Sequence, residues 1–444
     1  MRIIEYTLGV APFRRGGLPR YSTDLSEELA KNNDVYVLYP GANTVFRSNV
    51  MNIRENVDDH SFRLFEIINP LPVSLGLGIK RAAPFKEKRN VDHVIKWIQS
   101  INPEVIHLHT LMGFPIELLG KIKEQGIKIV YTTHDFYGLC PKMMSEDPKG
   151  QLKSRKCTFD CMLCKDGPSE RKLFLMQSHA YQKLKDSPLV KKIRQNQKSE
   201  LNNVEEEQLV SDIEVNERYN LRRYYLKMFS MIDEFHFNSS VSEAYFRQYM
   251  PSVKGKIVSI THSGLIDNRK NRIYSKSSNL KIGYIGPYDQ KKGFFDYVTC
   301  LENVRKKKQN FEAYFYGDIA KFPFFEKPWV HNEGIKAEGE MNDVYQQMDL
   351  IVLPSLWHET FGFVVLEAIL QGTPCIVAKN VGAKDILSKD CIFNSFDDLE
   401  AKIIKVLSFG LKSDREQIKN MLLKYRMDDH AKKIKQLFYK KQKI

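Results

Sequence analysis

The chain has 444 residues, a formal net charge of +14 from 68 basic and 54 acidic side chains, and 42% hydrophobic residues. A mean hydropathy of −0.41 and a pI near 9.2, with no apolar run near the ~18 residues that span a bilayer, argue against a membrane-spanning or disordered chain. The length suits two to three domains, and the basic balance favours anionic partners: nucleotide phosphates, nucleic acid or an acidic membrane surface.

In chain order, MRIIEYTLGV opens directly as a strand over residues 2–6 and lacks a signal-peptide pattern, so a cytoplasmic location is expected. A loop carrying Gly16 and Gly17 follows, then a helix over 21–32 and a strand over 34–39. Glycines there let the backbone approach a diphosphate, with Arg14, Arg15 and Arg20 adding charge, although the spacing is not that of a dinucleotide-binding loop. Further strands are expected over 105–109 and 128–132. Thr132-Thr133-His134-Asp135 leaves the second of these, where a histidine can bond a substrate hydroxyl; His107 and His109 end the first. Residues 169–249 read as charged helices covering the first domain, with an exposed insertion around 183–215.

A polar stretch at 267–279 reads as a linker, followed by strands over 280–286, 311–316, 349–353 and 375–378. Strands alternating with helices in both halves give an α/β fold of two doubly wound parallel sheets. The expected organisation is residues 1–266 as the N-terminal domain, with a Cys-rich loop over 140–164 and a charged helical insertion over about 169–230. The C-terminal domain is placed at 280–425, and a final helix at 426–444 packs back on the N-terminal domain.

The most informative segment is HETFGFVVLEA, in which Glu359 and Glu367 lie eight positions apart. Glu359 falls on the loop beyond a buried strand, where open parallel sheets bind ligands. Gly362 starts the next helix, whose free N–H groups suit a phosphate. Glu367 sits two turns in, so the two carboxylates can hold hydroxyls of a sugar and a ribose. In the equivalent loop earlier in this half, GPYDQKKG, Lys292 with its neighbour Lys291 is placed to neutralise phosphates.

Taken together, Gly16-Gly17, Thr132 with His134, the Gly286–Gly293 loop with Lys292, Gly317-Asp318 and the Glu-x7-Glu element resemble a retaining family 4 glycosyltransferase. That resemblance implies a GT-B architecture, two Rossmann-like domains facing across a cleft. It implies transfer of a sugar from a nucleotide-diphosphate sugar to a glycan or lipid-linked acceptor, with no cofactor required and no nucleic-acid partner. By it, Glu359 holds the donor sugar, Glu367 the ribose and Lys292 the diphosphate. Gly16, Gly17, Phe361 and Gly362 complete the phosphate cradle. His134 lies near both sugars, with His109 and Asp135 on the acceptor side. A role in bacterial surface polysaccharide synthesis and a peripheral place on the inner membrane face follow by resemblance. Pro287 stands where the family usually has arginine, so more of the diphosphate grip falls to Lys292 and its neighbours. An inactive GT-B partner subunit and a sugar-nucleotide epimerase are the alternatives, disfavoured by the intact motif residues.

Four of the seven cysteines, Cys140, Cys157, Cys161 and Cys164, share one loop with spacing compatible with a structural zinc. The last three also have the spacing of radical S-adenosylmethionine iron–sulfur ligands, but not the position after a barrel's first strand. Cys300, Cys375 and Cys391 read as small core residues.

Overall fold

The structure, a computed structural model, describes residues 1–44, 48–74, 79–140, 169–178, 181, 187, 212–274 and 279–440. Its N-terminal half holds an eight-stranded sheet. The strands are β1 (Arg2–Tyr6), β2 (Asp34–Pro40), β3 (Asn52–Asn56), β4 (Arg63–Ile68), β5 (Val105–Leu108), β6 (Lys128–Thr132), β7 (Glu234–Phe237) and β8 (Gly255–Ile257). Their order is β3-β4-β2-β1-β5-β6-β7-β8, parallel throughout except for β3 against β4. The C-terminal half holds β9 (Leu280–Ile285), β10 (Phe311–Tyr316), β11 (Val330–Asn332), β12 (Leu350–Leu353), β13 (Cys375–Ala378) and β14 (Ile392–Phe393). These form a fully parallel sheet in the order β11-β10-β9-β12-β13-β14. Apolar runs such as LIVL in β12 and CIVA in β13 are buried at every position, as strands covered on both faces must be.

Six helices frame the junction of the two halves: α1 (Gly17–Ala30), α2 (Ser240–Tyr249), α3 (Phe294–Lys307), α4 (Met341–Gln347), α5 (Phe363–Leu370) and α6 (Met427–Ile434). Helix α1 begins four residues earlier than the spacing suggested, because Gly16 takes a left-handed φ of 130° at the cap and Pro19 fits the first turn. The region expected to be helical over 169–249 contains β7, a four-residue buried run EFHF. Its brevity hides it: periodicity cannot separate so short an apolar segment from a buried helix turn.

The segment 267–274 lies against the C-terminal half. Arg269 donates to the carbonyls of Ile418 and Met421, and Tyr274 donates to that of Gly372. Helix α6 and the turn after it return to the N-terminal half. His430 bonds Tyr21 at 2.8 Å, Lys435 bonds Asn33 at 2.6 Å and Tyr439 reaches Glu5 at 2.7 Å. Met427, Ala431, Ile434, Phe438 and Tyr439 thereby join one apolar core with Ile3, Tyr21, Leu25 and the C-terminal sheet.

Candidate active site at the domain junction

Two loops at the C-terminal ends of β9 and β12 build the C-terminal wall. The first ends at Gly293, whose φ of 68° caps α3; a Cβ there would stand 1.9 Å from the Pro354 carbonyl oxygen. Only glycine lets the loop seat so closely on the end of β12. The carbonyl of Lys291 accepts from Leu356 and Trp357 N–H groups at 2.9 and 3.1 Å, stitching the two loops together.

That seating brings Lys292 to Glu359. Lys292 Nζ lies 3.1 Å from Glu359 Oε1 and 4.1 Å from the centre of the Trp357 ring. Ser355 Oγ and Trp357 Nε1 donate to the other carboxylate oxygen at 2.8 and 3.5 Å. Burial alone would raise the Glu359 pKa, but Lys292, Ser355 and Trp357 favour the carboxylate and hold it below the usual value.

Glu367, just over one turn into α5, is bonded by three groups. His262 Nε2 and Arg20 lie 3.0 and 3.5 Å from Oε1, and the Tyr345 hydroxyl donates to Oε2 at 2.5 Å. Burial pushes this carboxyl up, yet His262, Tyr345 and Arg20 outweigh it and keep it below its ordinary value. Arg20 comes from α1, so the two ends of the Glu-x7-Glu element touch or border the N-terminal half.

The N-terminal wall is equally close. Phe363, the first residue of α5, approaches Gly17, where a Cβ would lie 3.5 Å from its ring. Thr360 Oγ1 donates to the His134 carbonyl at 2.8 Å, and Ser239 Oγ donates to the Thr360 carbonyl at 2.6 Å. Asp385 accepts from the Ser240 N–H at 2.6 Å, placing a carboxylate on the N-terminus of α2 from across the junction.

Behind His134 runs a buried polar chain. His134 Nε2 lies 3.1 Å from His109 Nδ1, and His109 Nε2 lies 2.7 Å from Glu5 Oε2. Glu5 Oε1 accepts from Tyr439, which also bonds His107 at 2.7 Å. Burial would raise the Glu5 pKa, but His107 and His109 draw it down to about 2. Burial lowers His109 to about 4 and His134 well below its ordinary value. Asp135, next in the chain, is pushed up by burial to about 7.

Most of the residues singled out from sequence therefore meet at one junction: Gly17, His134, Lys292, Glu359, Gly362 and Glu367. Lys291 acts through its carbonyl in the contacts described, and Phe361 is buried with its carbonyl taken by the Ala383 N–H at 2.7 Å. Gly362, with a left-handed φ of 98°, caps α5. His109, expected on the acceptor side, is wholly buried, with its two ring nitrogens against Glu5 and His134. Cys140 is buried, whereas Cys157, Cys161 and Cys164 lie outside the described residues. Cys300 and Cys375 are buried and Cys391 is partly so. Sequence reasoning missed Glu5, His262 and Tyr345. A carboxylate inside the apolar run RIIEY was the available signal for the first; the other two carried none.

The N-terminal half matches the model of Glycosyltransferase Family 4 over residues 15–156, and the C-terminal half that of Glycosyl transferases group 1 over residues 279–408. By its two domains this is a GT-B glycosyltransferase of the family 4 type. Among solved structures the glycosyltransferase is similar to sucrose-phosphate synthase from Thermosynechococcus elongatus, with a TM-score of 0.56, 13% identity and 98% of each chain covered. It is also similar to an E. coli trehalose-6-phosphate protein bound with UDP-2-fluoro glucose, at a TM-score of 0.58, 9% identity and 99% of each chain. The lipopolysaccharide outer core galactosyltransferase WaaB gives 0.57, 12% and 98% of each. Over 115 residues the chain is 31% identical to an uncharacterised 42.6 kDa protein in the cps region of Klebsiella pneumoniae, covering 26% of this chain and 30% of that one. The match thus spans about a third of that curated relative's length.

Proposed function

We propose that the protein moves a sugar, with retention of configuration, from a nucleoside diphosphate sugar to a hydroxyl of a glycan or lipid-linked glycan. The observation that carries this reading is the Lys292–Glu359 pair at the end of β12, with Glu367 on the following helix at the same junction. A carboxylate offers about four lone-pair sites. Each of these two already accepts three donors, which leaves room for roughly one substrate hydroxyl apiece: the sugar at Glu359 and the ribose at Glu367. Departure of a nucleoside diphosphate builds negative charge on its phosphates. Lys292 and the N-terminal amides of α3 and α5 are fixed donors that stabilise such charge without reorganising. Pro287 supplies no charge, so Lys292 carries more of this task.

Neighbours of the same fold are described with UDP-2-fluoro glucose, with UDP and glucose, and with ADP and acarbose, which supports a nucleotide-sugar donor. The cps-region relative supports a role in surface polysaccharide synthesis. A cavity of about 470 Å³ in the N-terminal half, lined by Asn43 and Asn69 just beyond β2 and β4 together with Arg89, Arg171 and Phe174, is part of the proposal as a place for the acceptor. Among the described residues no helix is long and apolar enough to cross a membrane. The net charge of +14 supports a cytoplasmic protein resting on an anionic membrane surface; failure to co-sediment with phosphatidylglycerol vesicles at low salt would rule this out. A structural zinc on Cys140, Cys157, Cys161 and Cys164 is part of the proposal, decided by elemental analysis of protein purified without chelator.

The transfer itself is tested with UDP-, GDP-, ADP- and dTDP-sugars, first by thermal shift and then by NMR of the product. One nucleotide should stabilise the fold and give a product with the donor's anomeric configuration. An inverted product would contradict retention, and no response to any nucleotide would contradict the whole reading.

A further inference from the structure

The hydrogen-bond chain behind His134 has a direction. Glu5 is fully buried, and its Oε2, as a carboxylate oxygen, only accepts; at 2.7 Å the proton must sit on His109 Nε2. A neutral His109 then has a bare Nδ1, which faces His134 Nε2 at 3.1 Å. That contact needs one proton, and only His134 can supply it. His134 is consequently the Nε2–H tautomer, and its lone pair is on Nδ1. Among the described residues Nδ1 of His134 has no hydrogen-bond partner, and it is not sealed from solvent. The ring is held from the side by Tyr21, with centroids 4.9 Å apart, and its backbone is tied to the Glu359 loop through Thr360.

We propose that Glu5 and His109 are positioning residues that fix His134 with its Nδ1 lone pair toward the cleft, where it accepts a hydrogen bond from a hydroxyl of the bound sugar. The inference rests on the glycosyltransferase reading and deepens it. A lone pair at this wall selects a hydroxyl donor and repels a phosphate oxygen, so His134 belongs to the sugar side of the site and not to the diphosphate side. The proton order is the same one that carboxylate partners impose on histidines in metal and hydrolase sites. Glu5, His107 and His109 also hold donor atoms within 4.8 Å of one another, a spacing a cation could share. Here those atoms are already engaged: Glu5 with His109 and Tyr439, His107 with Tyr439 and Thr132.

Imidazole ¹⁵N NMR of the full chain at neutral pH reads the tautomer directly, with His134→Gln assigning the resonance. The expected spectrum shows a protonated Nε2 and an unprotonated Nδ1 on His134. A protonated Nδ1, a charged ring or stoichiometric metal in the purified protein overturns the proposal. In turnover, His134→Ala and His109→Leu should each lower kcat/KM roughly tenfold or more, the loss expected for an unpaired buried partner. His109→Asn puts an amide oxygen near the Nδ1 position, keeps the acceptor for His134, and should retain most of the activity. Equal losses in His109→Asn and His109→Leu, with unchanged thermal midpoints, would reduce His109 to packing and overturn its positioning role. Because the spectrum needs no substrate, it judges the tautomer even if every nucleotide sugar fails, a failure that would instead strike the transferase reading.

Discussion

Glu367 shows how one side chain ties stability to binding. Its carboxylate joins a tyrosine of α4, His262 and an arginine of α1. Replacing it with alanine strands the Tyr345 hydroxyl and His262 Nε2 in partly buried surroundings, at about 1–3 kcal/mol for each unsatisfied group. Glu367→Ala should therefore lower the thermal midpoint as well as the affinity for a nucleoside diphosphate, whereas Glu367→Gln keeps an acceptor and loses less of both. Calorimetric unfolding beside nucleotide titration separates the two effects; an unchanged nucleotide affinity would sink the ribose role. Lys292 makes the complementary case. Its charge is held between Glu359 and the Trp357 ring and is aimed by backbone that Gly293 alone can adopt. Losing a charge-assisted contact of this kind costs about 1.5–3 kcal/mol, so Lys292→Ala should weaken nucleoside diphosphate binding by roughly 10- to 150-fold. Wild-type affinity in that variant would move the phosphate grip elsewhere.

At the level of elements, the junction depends on turns that tolerate no side chain. Gly293→Ala combines a left-handed backbone, about 1–2 kcal/mol for a residue with a Cβ, with a Cβ driven into the Pro354 carbonyl. The β9–α3 loop should lift from β12, and Lys292 with it. The measured outcome would be a lower thermal midpoint together with lost nucleotide binding; a variant that binds normally would show the loop to be loosely coupled. Such turns were readable from sequence because glycine at a strand–helix boundary has few other uses, and β12 and β13 of the C-terminal sheet were readable because burial on both faces leaves continuous apolar runs, whereas the two- and three-residue strands β14 and β11 were not expected. Others were not. β7 was lost among charged helices because four residues are too short to show a period, and β3, paired at the sheet edge with little burial, has no apolar pattern at all. The Glu-x7-Glu geometry was legible since Glu359 sits on the loop after β12 and Glu367 on the helix that this loop opens. Its supports were not, because Arg20, His262 and Tyr345 come together only through tertiary packing over separations of up to 347 positions.

Across the whole molecule, the C-terminal tail closes a buried polar core around which the N-terminal sheet is built. Tyr439 and His430 reach back to Glu5 and Tyr21, and His107, His109, His134 and His236 fill the space between. Burial lowers His109 from 6.5 to about 4 and His430 to about 3, with His134 and His236 also well below their ordinary value. For each, the unfolded chain takes up a proton near pH 6.5 that the folded protein refuses until much lower pH. Their contribution is thus intact above pH 6.5 and is lost as pH falls through about 4 and 3. Glu5, drawn down from 4.5 to about 2, acts with the same sign at still lower pH. Asp135 opposes them: raised from 3.8 to about 7, it favours the fold below pH 3.8 and loses that contribution as pH rises through 7. Four histidines against one aspartate decide the balance between pH 6.5 and 4, so stability should fall steadily on acidification from pH 7 to 5. Denaturant unfolding across that range provides the measurement. His430→Gln, which keeps a polar partner for Tyr21 but cannot titrate, should flatten the slope; an equally steep profile in the variant would place the acid sensitivity outside the tail-closed core.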